Sequence, residues 1–274
     1  MSLHSPERSN IGHRFPWLRV AAGLLAVFWG LFFYGLIDLL AFLQGRQFHD
    51  TILLSTGWGL LFLFLLAGPL VVLCLGRGAA SSAASVEIIA VALALVVTSA
   101  LSTAPRFLLP ALGAAVTAGV VIALGATSAR STLRSWRWSP LPAAVLAIVV
   151  VPAAHYAWIS ASNAGTGIVT DDTVGLDHWP AQAALPIAAL LIAAVAAGHP
   201  RGWRLLTWSV AVSGLWFAVV SLVEPDLVGS MNRAWSAALA AWCVLFVVAV
   251  QLSAKPSAAG RRRLSTATDP GPAR

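Results

Sequence analysis

Charge is what this chain has least of: 10% of its 274 residues are Asp, Glu, Lys or Arg, against 59% hydrophobic residues. Soluble domains carry about 25% charged and roughly 45–50% apolar residues, so a soluble fold is excluded and a polytopic membrane protein is the class that fits. There are two cysteines, Cys74 and Cys243, each inside an apolar run. That excludes a disulfide framework and a Cys-x-x-Cys metal pair, and leaves both as small packing residues. Also missing are HExxH, a G-x-x-x-x-G-K-[ST] phosphate loop, CxxCH and a Gly-Ser elbow at a helix start, which argues against the common enzyme classes that use them. The net charge of +7 comes from residues scattered between apolar runs, with no basic face interleaved with stacking aromatics, so nucleic acid is not an expected partner.

What is abundant is apolar length. A helix needs about 20 apolar residues to cross the hydrocarbon core, because each residue rises about 1.5 Å and no backbone polar group can face lipid unpaired. Eight stretches qualify: 18–43, 51–75, 83–103, 107–127, 141–161, 179–198, 204–223 and 229–251. The first has basic residues before it, but it runs beyond the roughly 7–15 residues of a signal-peptide core and is read as a retained span. The third and fourth are divided only by the segment TAPR, with Pro105 marking the boundary. The expected fold is therefore an all-α transmembrane bundle of eight spans. Residues 17–252 form the membrane domain, and the polar tails 1–16 and 253–274 are expected to be disordered. Short cytoplasmic loops retain Lys and Arg, and placing both termini in the cytoplasm puts fourteen of the seventeen basic residues there. Only Arg46, Arg106 and Arg233 fall outside.

Under that topology the longest outside loop ends in GLDHWPAQ, residues 175–182, where the chain re-enters the membrane. Pro180 suits a first helical turn, Asp177 can accept from that turn's free N–H groups, and Trp179 suits the headgroup level. His178 is not required by any of this. Acidic residues collect at the same side, with Asp50, Asp171, Asp172, Asp177, Glu224 and Asp226 in outside loops and Asp38 in the outer part of the first span. A carboxylate inside a span costs roughly 2.5–3.5 kcal/mol on insertion scales, so Asp38 should face the bundle interior with a partner. His155 follows Pro152 in the fifth span, where an imidazole can relay protons or bind a cation. The alternative for both is a buried polar residue that fixes helix register through one hydrogen bond.

Asp38, His155, Asp177, His178 and Glu224 are accordingly the candidate site for a cation, proton or substrate. The adjacent pairs His49/Asp50 and Asp177/His178 could together supply metal ligands if their loops met. Glu224, in VEPD, sits against the negative end of a helix dipole at a cost of about 0.3–1 kcal/mol, whereas Glu87 sits at the favourable end of its span and calls for no function. Trp17, Trp136, Trp138, Trp179, Trp203 and Trp235 lie near loops and are expected as interface anchors. No cofactor is expected. The expected partners are the lipid bilayer and either another membrane protein or a second copy of the chain.

A weak internal match aligns FYGLIDLL with HYAWISAS and the His49/Asp50 loop with the Asp177/His178 loop, which would relate spans one to four to spans five to eight about an axis along the membrane normal. Taken together, YGLIDLL, STGWGLLF, GLDHWPAQ and EPDLVGSMNRAW resemble a group of uncharacterised bacterial multi-pass membrane proteins, over most of the chain. The resemblance implies a bacterial plasma-membrane location and no particular activity. Three functions stay open: a transporter or permease-like protein handling a cation, proton or small solute through the acidic outer mouth, a non-catalytic scaffold or accessory subunit, and a metal-dependent enzyme at the outer face.

Overall fold

The computed structural model describes residues 14–40, 43, 50–76, 78–167, 172–173 and 175–254. Both tails beyond these limits, His49 and Asp171 lie outside the described residues. The chain is an antiparallel helix bundle. Helix α1 (Arg14–Val27) continues through a π-helical segment, Phe28–Phe32, and after a break resumes as α2 (Gly35–Leu39). The second span is continuous from Ile52 to Leu75 and comprises α3 (Ile52–Gly59), a π-helical stretch Leu60–Ala67, and α4 (Gly68–Leu75). Then follow α5 (Ala79–Leu101), α6 (Leu108–Arg134), α7 (Pro140–Asn163), α8 (Trp179–Ala197), α9 (Trp203–Val223) and α10 (Arg233–Ser253).

Among the described residues, seven helical segments are long and apolar enough to cross a membrane, with mean hydropathy between 1.8 and 2.5, and the first of the eight expected spans, at Pro16–Phe32, is shorter than these. The outward faces carry large apolar side chains, among them Phe32, Leu109, Val151 and Leu252, each more than two-thirds exposed. A surface of that kind is stable against lipid and not against water. The interior combines large side chains, such as Trp58, Phe62 and Leu65, with small ones. On α8, Ala181, Ala184, Ala188 and Ala193 are fully buried, which lets neighbouring backbones approach closely where no hydrophobic drive separates protein from solvent. The molecule is an integral, multi-pass α-helical membrane protein.

The first span departs from the single helix expected over 18–43. Its π-helical turn closes with Phe33 N–H donating to the Phe28 carbonyl at 2.8 Å, and Tyr34 then adopts a left-handed conformation with φ 63°. A non-glycine residue there costs about 1–2 kcal/mol, so the surroundings must hold it. They do so at Gly35, where any Cβ would lie 2.9 Å from the Trp29 carbonyl oxygen and 3.0 Å from the Leu63 backbone nitrogen. The freed carbonyl of Phe33 accepts from Trp58 Nε1 at 3.0 Å. Irregular backbone at this depth is tolerated because protein, not lipid, satisfies it.

The expected division at Pro105 is present: α5 stops at Leu101 and a 3₁₀ turn, Pro105–Phe107, starts the fourth span. Packing follows a fourfold pattern twice over. The first span packs on the second, the second on the third, the third on the fourth, and the fourth returns to the first. Helices α7, α8, α9 and α10 form the same ring, and the two rings meet through the second and third spans of one and α8 and α9 of the other. The two rings differ in their first members, since the first segment is broken where α7 is one continuous helix. Each ring is closed by an indole: Trp29 Nε1 donates to Thr117 Oγ1 at 3.1 Å, and Trp242 Nε1 donates to the Val145 carbonyl at 2.8 Å.

The connections define two ends. At the loop end, Thr103 Oγ1 donates to the Ala164 carbonyl, and a short antiparallel pairing sets β1 (Asp172–Thr173) against β2 (Leu176–Asp177). At the tail end, Arg137 N–H donates to the Gly198 carbonyl and Arg201 N–H to Ser135 Oγ.

Candidate functional site

The loop GLDHWPAQ builds its site by splitting the work of two adjacent residues. Asp177 serves the backbone: Oδ1 accepts from Trp179 N–H at 2.9 Å and Oδ2 from Gly165 N–H at 2.8 Å, which engages the first N–H of α8 from the residue before its N-cap and ties down the preceding loop. Pro180 occupies the first turn of α8, where its missing N–H is tolerated. With the helix start secured by its neighbour, His178 is free to turn inward and is fully buried.

Its imidazole stacks on Trp58, with ring centroids 4.3 Å apart and planes at 28°. Trp58 in turn stacks on Phe33 at 5.1 Å and 18°, so the indole is a plate between the broken first span and the start of α8. The break itself delivers the second polar group. Asp38, on α2, is 6% exposed, and its Oδ2 lies 3.9 Å from His178 Nε2. This is an ion-pair distance when the imidazole is protonated, and it is longer than a hydrogen bond.

Close backbone approach makes the arrangement possible. Gly57 and Gly59 flank Trp58. A Cβ on Gly57 would overlap the Gln182 carboxamide, and one on Gly59 would overlap the Leu39 backbone nitrogen. Gln182, one turn after His178 on α8, donates from Nε2 to the Tyr156 hydroxyl at 2.6 Å, and that hydroxyl donates to the Gly229 carbonyl at 2.5 Å. A polar path therefore runs from the turn before α10, through Tyr156 of α7, to Gln182 of α8, one helical turn from His178.

The residues singled out from sequence are distributed as follows. Asp38, Asp177 and His178 come together at the loop end. His155 does not join them; it faces an open groove on the other side of α7, next to Tyr156. Glu224 is half-buried at the C-terminal cap of α9, and Asp50 is exposed at the start of the second span. Among the described residues no three of His, Cys, Asp and Glu converge to hold a metal ion, and His49 lies outside them.

Two expectations are corrected. Trp179 is not an interface anchor: it is 2% exposed and packs with Leu54 and Ala164, because the loop before it folds back over the helix start. Trp17, Trp136, Trp138 and Trp235 are exposed, and Trp203 is half-buried with the Arg204 guanidinium 5.5 Å above its ring. Glu87 is not at a helix end. Helix α5 begins at Ala79, four residues earlier than expected, which carries Glu87 two turns inward, where it is fully buried with Ser209 of α9 facing it. Sequence reading also passed over Trp58, Tyr156 and Gln182. The spacing of His178 and Gln182, four residues apart on one helix face, was the available signal.

The fold and this site define a polytopic helical membrane protein with a buried carboxylate–imidazole pair at one end of a broken span. No family model, curated protein or solved structure matches the chain.

Proposed function

We propose that this protein is a transporter or permease-like protein of the bacterial plasma membrane, and that Asp38 and His178 together bind and release a proton or cation in its cycle. The observation that carries the reading is the 3.9 Å approach of two buried ionisable groups inside an apolar bundle. Such groups are expensive in a membrane interior and mark ion and proton pathways.

Two features support it. A discontinuous helix near a buried ionisable group is how transporters expose backbone and side-chain ligands at depth, and the first span breaks four residues before Asp38. The loop end also carries Asp50, Asp172, Glu224 and Asp226, a negative field that draws cations toward the mouth. The pair can hold one proton in two ways. On the imidazole it makes an ion pair with the carboxylate; on the carboxyl it leaves both groups neutral. Either form avoids an isolated buried charge, and loss of that proton leaves one.

The test is reconstitution into liposomes loaded with a pH-sensitive dye, with proton flux driven by a potassium diffusion potential. Wild type should acidify or alkalinise the lumen faster than empty liposomes, and Asp38→Asn and His178→Ala should each return the rate to that baseline. Flux unchanged in both variants refutes the reading.

A further inference from the structure

Glu87 is a buried ionisable group that the Asp38–His178 pair leaves unused. It lies on α5, in the half of the bundle nearer the tail end, and is fully buried. We infer that Glu87 is a second proton-binding site, exchanging its proton with the tail end and parted from Asp38 and His178 by an apolar layer; its place in a transport cycle rests on the reading proposed above.

Depth separates the two sites. Trp58, the plate beneath His178, follows the loop-end start of the second span at Ile52 by six residues, and Glu87 follows the tail-end start of α5 at Ala79 by eight. At about 1.5 Å per residue these levels lie about 9 Å and about 12 Å from opposite ends of a span about 36 Å long, which leaves about 15 Å between them. Large apolar side chains fill the interval. Phe62 and Leu65 of the second span and Val91 and Leu95 of α5 are all fully buried, and these two helices pack on each other. Toward the loop end α5 carries no hydroxyl before Thr98, whereas toward the tail end it has Ser81 and Ser85, and α9 has Thr207. Ser85 and Thr207 donate to carbonyls of their own helices, which leaves their oxygens able to accept. On α5 the polar side of Glu87 is therefore the tail side.

The surroundings of the carboxyl suit a proton and not a salt bridge or a metal. Both oxygens are buried without an ion pair or a well-formed hydrogen bond among the described residues, and the Ser209 hydroxyl of α9 faces them. The elements packed on α5 bring no charge to that level. Helix α8 and the π-helical stretch of the second span carry no ionisable side chain, α4 carries Cys74, and α7 carries His155 and Tyr156 in its loop-end half. Arg130 and Arg134 of α6 and Arg204 of α9 are exposed at the tail end. Among the described residues no three of His, Cys, Asp and Glu gather to hold a metal ion. A proton needs one acceptor only, and on Glu87 it removes the charge that is expensive at this depth. Loaded, the carboxyl is neutral; emptied, its charge has the Ser209 hydroxyl as a donor.

The experiment is infrared difference spectroscopy of the full chain in liposomes, acidic sample against alkaline, run beside the flux assay. Wild type is expected to show the carbonyl band of a carboxylic acid that vanishes in Glu87→Gln and survives in Asp38→Asn. Ser209→Ala keeps the carboxyl and should move the pH at which that band changes, which preserves the test if Glu87→Gln does not fold. In the flux assay Glu87→Gln should fall to the rate of empty liposomes. A difference spectrum identical in wild type and Glu87→Gln overturns the proposal, because the group then stays in one state and serves packing alone. So does a band whose pH dependence is the same with and without the Ser209 hydroxyl. Wild-type flux in Glu87→Gln removes the residue from the cycle. Absence of flux in wild type refutes the transport reading by itself, and the band then decides alone whether Glu87 binds a proton.

Discussion

Gly59 and Leu39 are in direct backbone contact: the second span passes the end of the broken first span at a point where a Cβ would overlap the Leu39 nitrogen. Asp38 precedes that residue, so the position of the carboxylate depends on a glycine in another helix. Gly59→Ala must push α2 away, and with it Asp38. Overpacking of this kind costs about 1–3 kcal/mol. The thermal midpoint should fall and proton flux should be lost together.

Gly57→Ala should separate those two effects. Its Cβ meets the tip of the Gln182 side chain, which can swing aside, so the fold is expected to survive with little loss of thermal stability. The displaced carboxamide can no longer donate to Tyr156. Hydrogen exchange at the turn 227–230 should speed up, because Tyr156 is then less firmly held against the Gly229 carbonyl.

Asp177 accepts two backbone hydrogen bonds, from Trp179 N–H at 2.9 Å and from Gly165 N–H at 2.8 Å, and so joins the start of α8 to the loop before it. Asp177→Ala is expected to cost about 0.5–2 kcal/mol and Asp177→Asn less, measured by thermal unfolding. Amide exchange at Gly165 and Trp179 should rise in the alanine variant. If flux is lost in proportion to folded protein only, Asp177 serves the structure of the site and not its chemistry.

Trp58→Phe removes the donor to the Phe33 carbonyl while keeping an aromatic ring under His178. A buried carbonyl left without its partner costs about 1–3 kcal/mol. The loss should be read as a lower thermal midpoint.

Much of the fold is legible in the sequence because membrane insertion imposes one rule everywhere: apolar length. The extents of α7, α8 and α9 follow from it almost residue by residue, and the Pro105 boundary follows from proline's missing N–H. The helix-start chemistry of Asp177 and Pro180 was legible for the same local reason. What could not be read was everything set by contact between distant helices. The break at Tyr34 lies in the run FFYGLIDLL, where no proline or polar cluster marks it, and it is stabilised by Trp58 and Leu63 from another span. The inward turn of His178 depends on Trp58, and the burial of Trp179 depends on Leu54 and Ala164. Glu87 was misplaced by a four-residue error in a helix start, since the Ala- and Ser-rich segment 79–84 gives no hydropathic edge.

Asp38 and His178 are proposed to act as one binding site for a proton or cation. The most direct measurement is infrared difference spectroscopy of the protein in lipid, comparing an acidic with an alkaline sample. The account predicts an imidazole signal that disappears in His178→Ala and is altered in Asp38→Asn, because the carboxylate lies 3.9 Å from the imidazole. An imidazole signal identical in wild type and Asp38→Asn would contradict it.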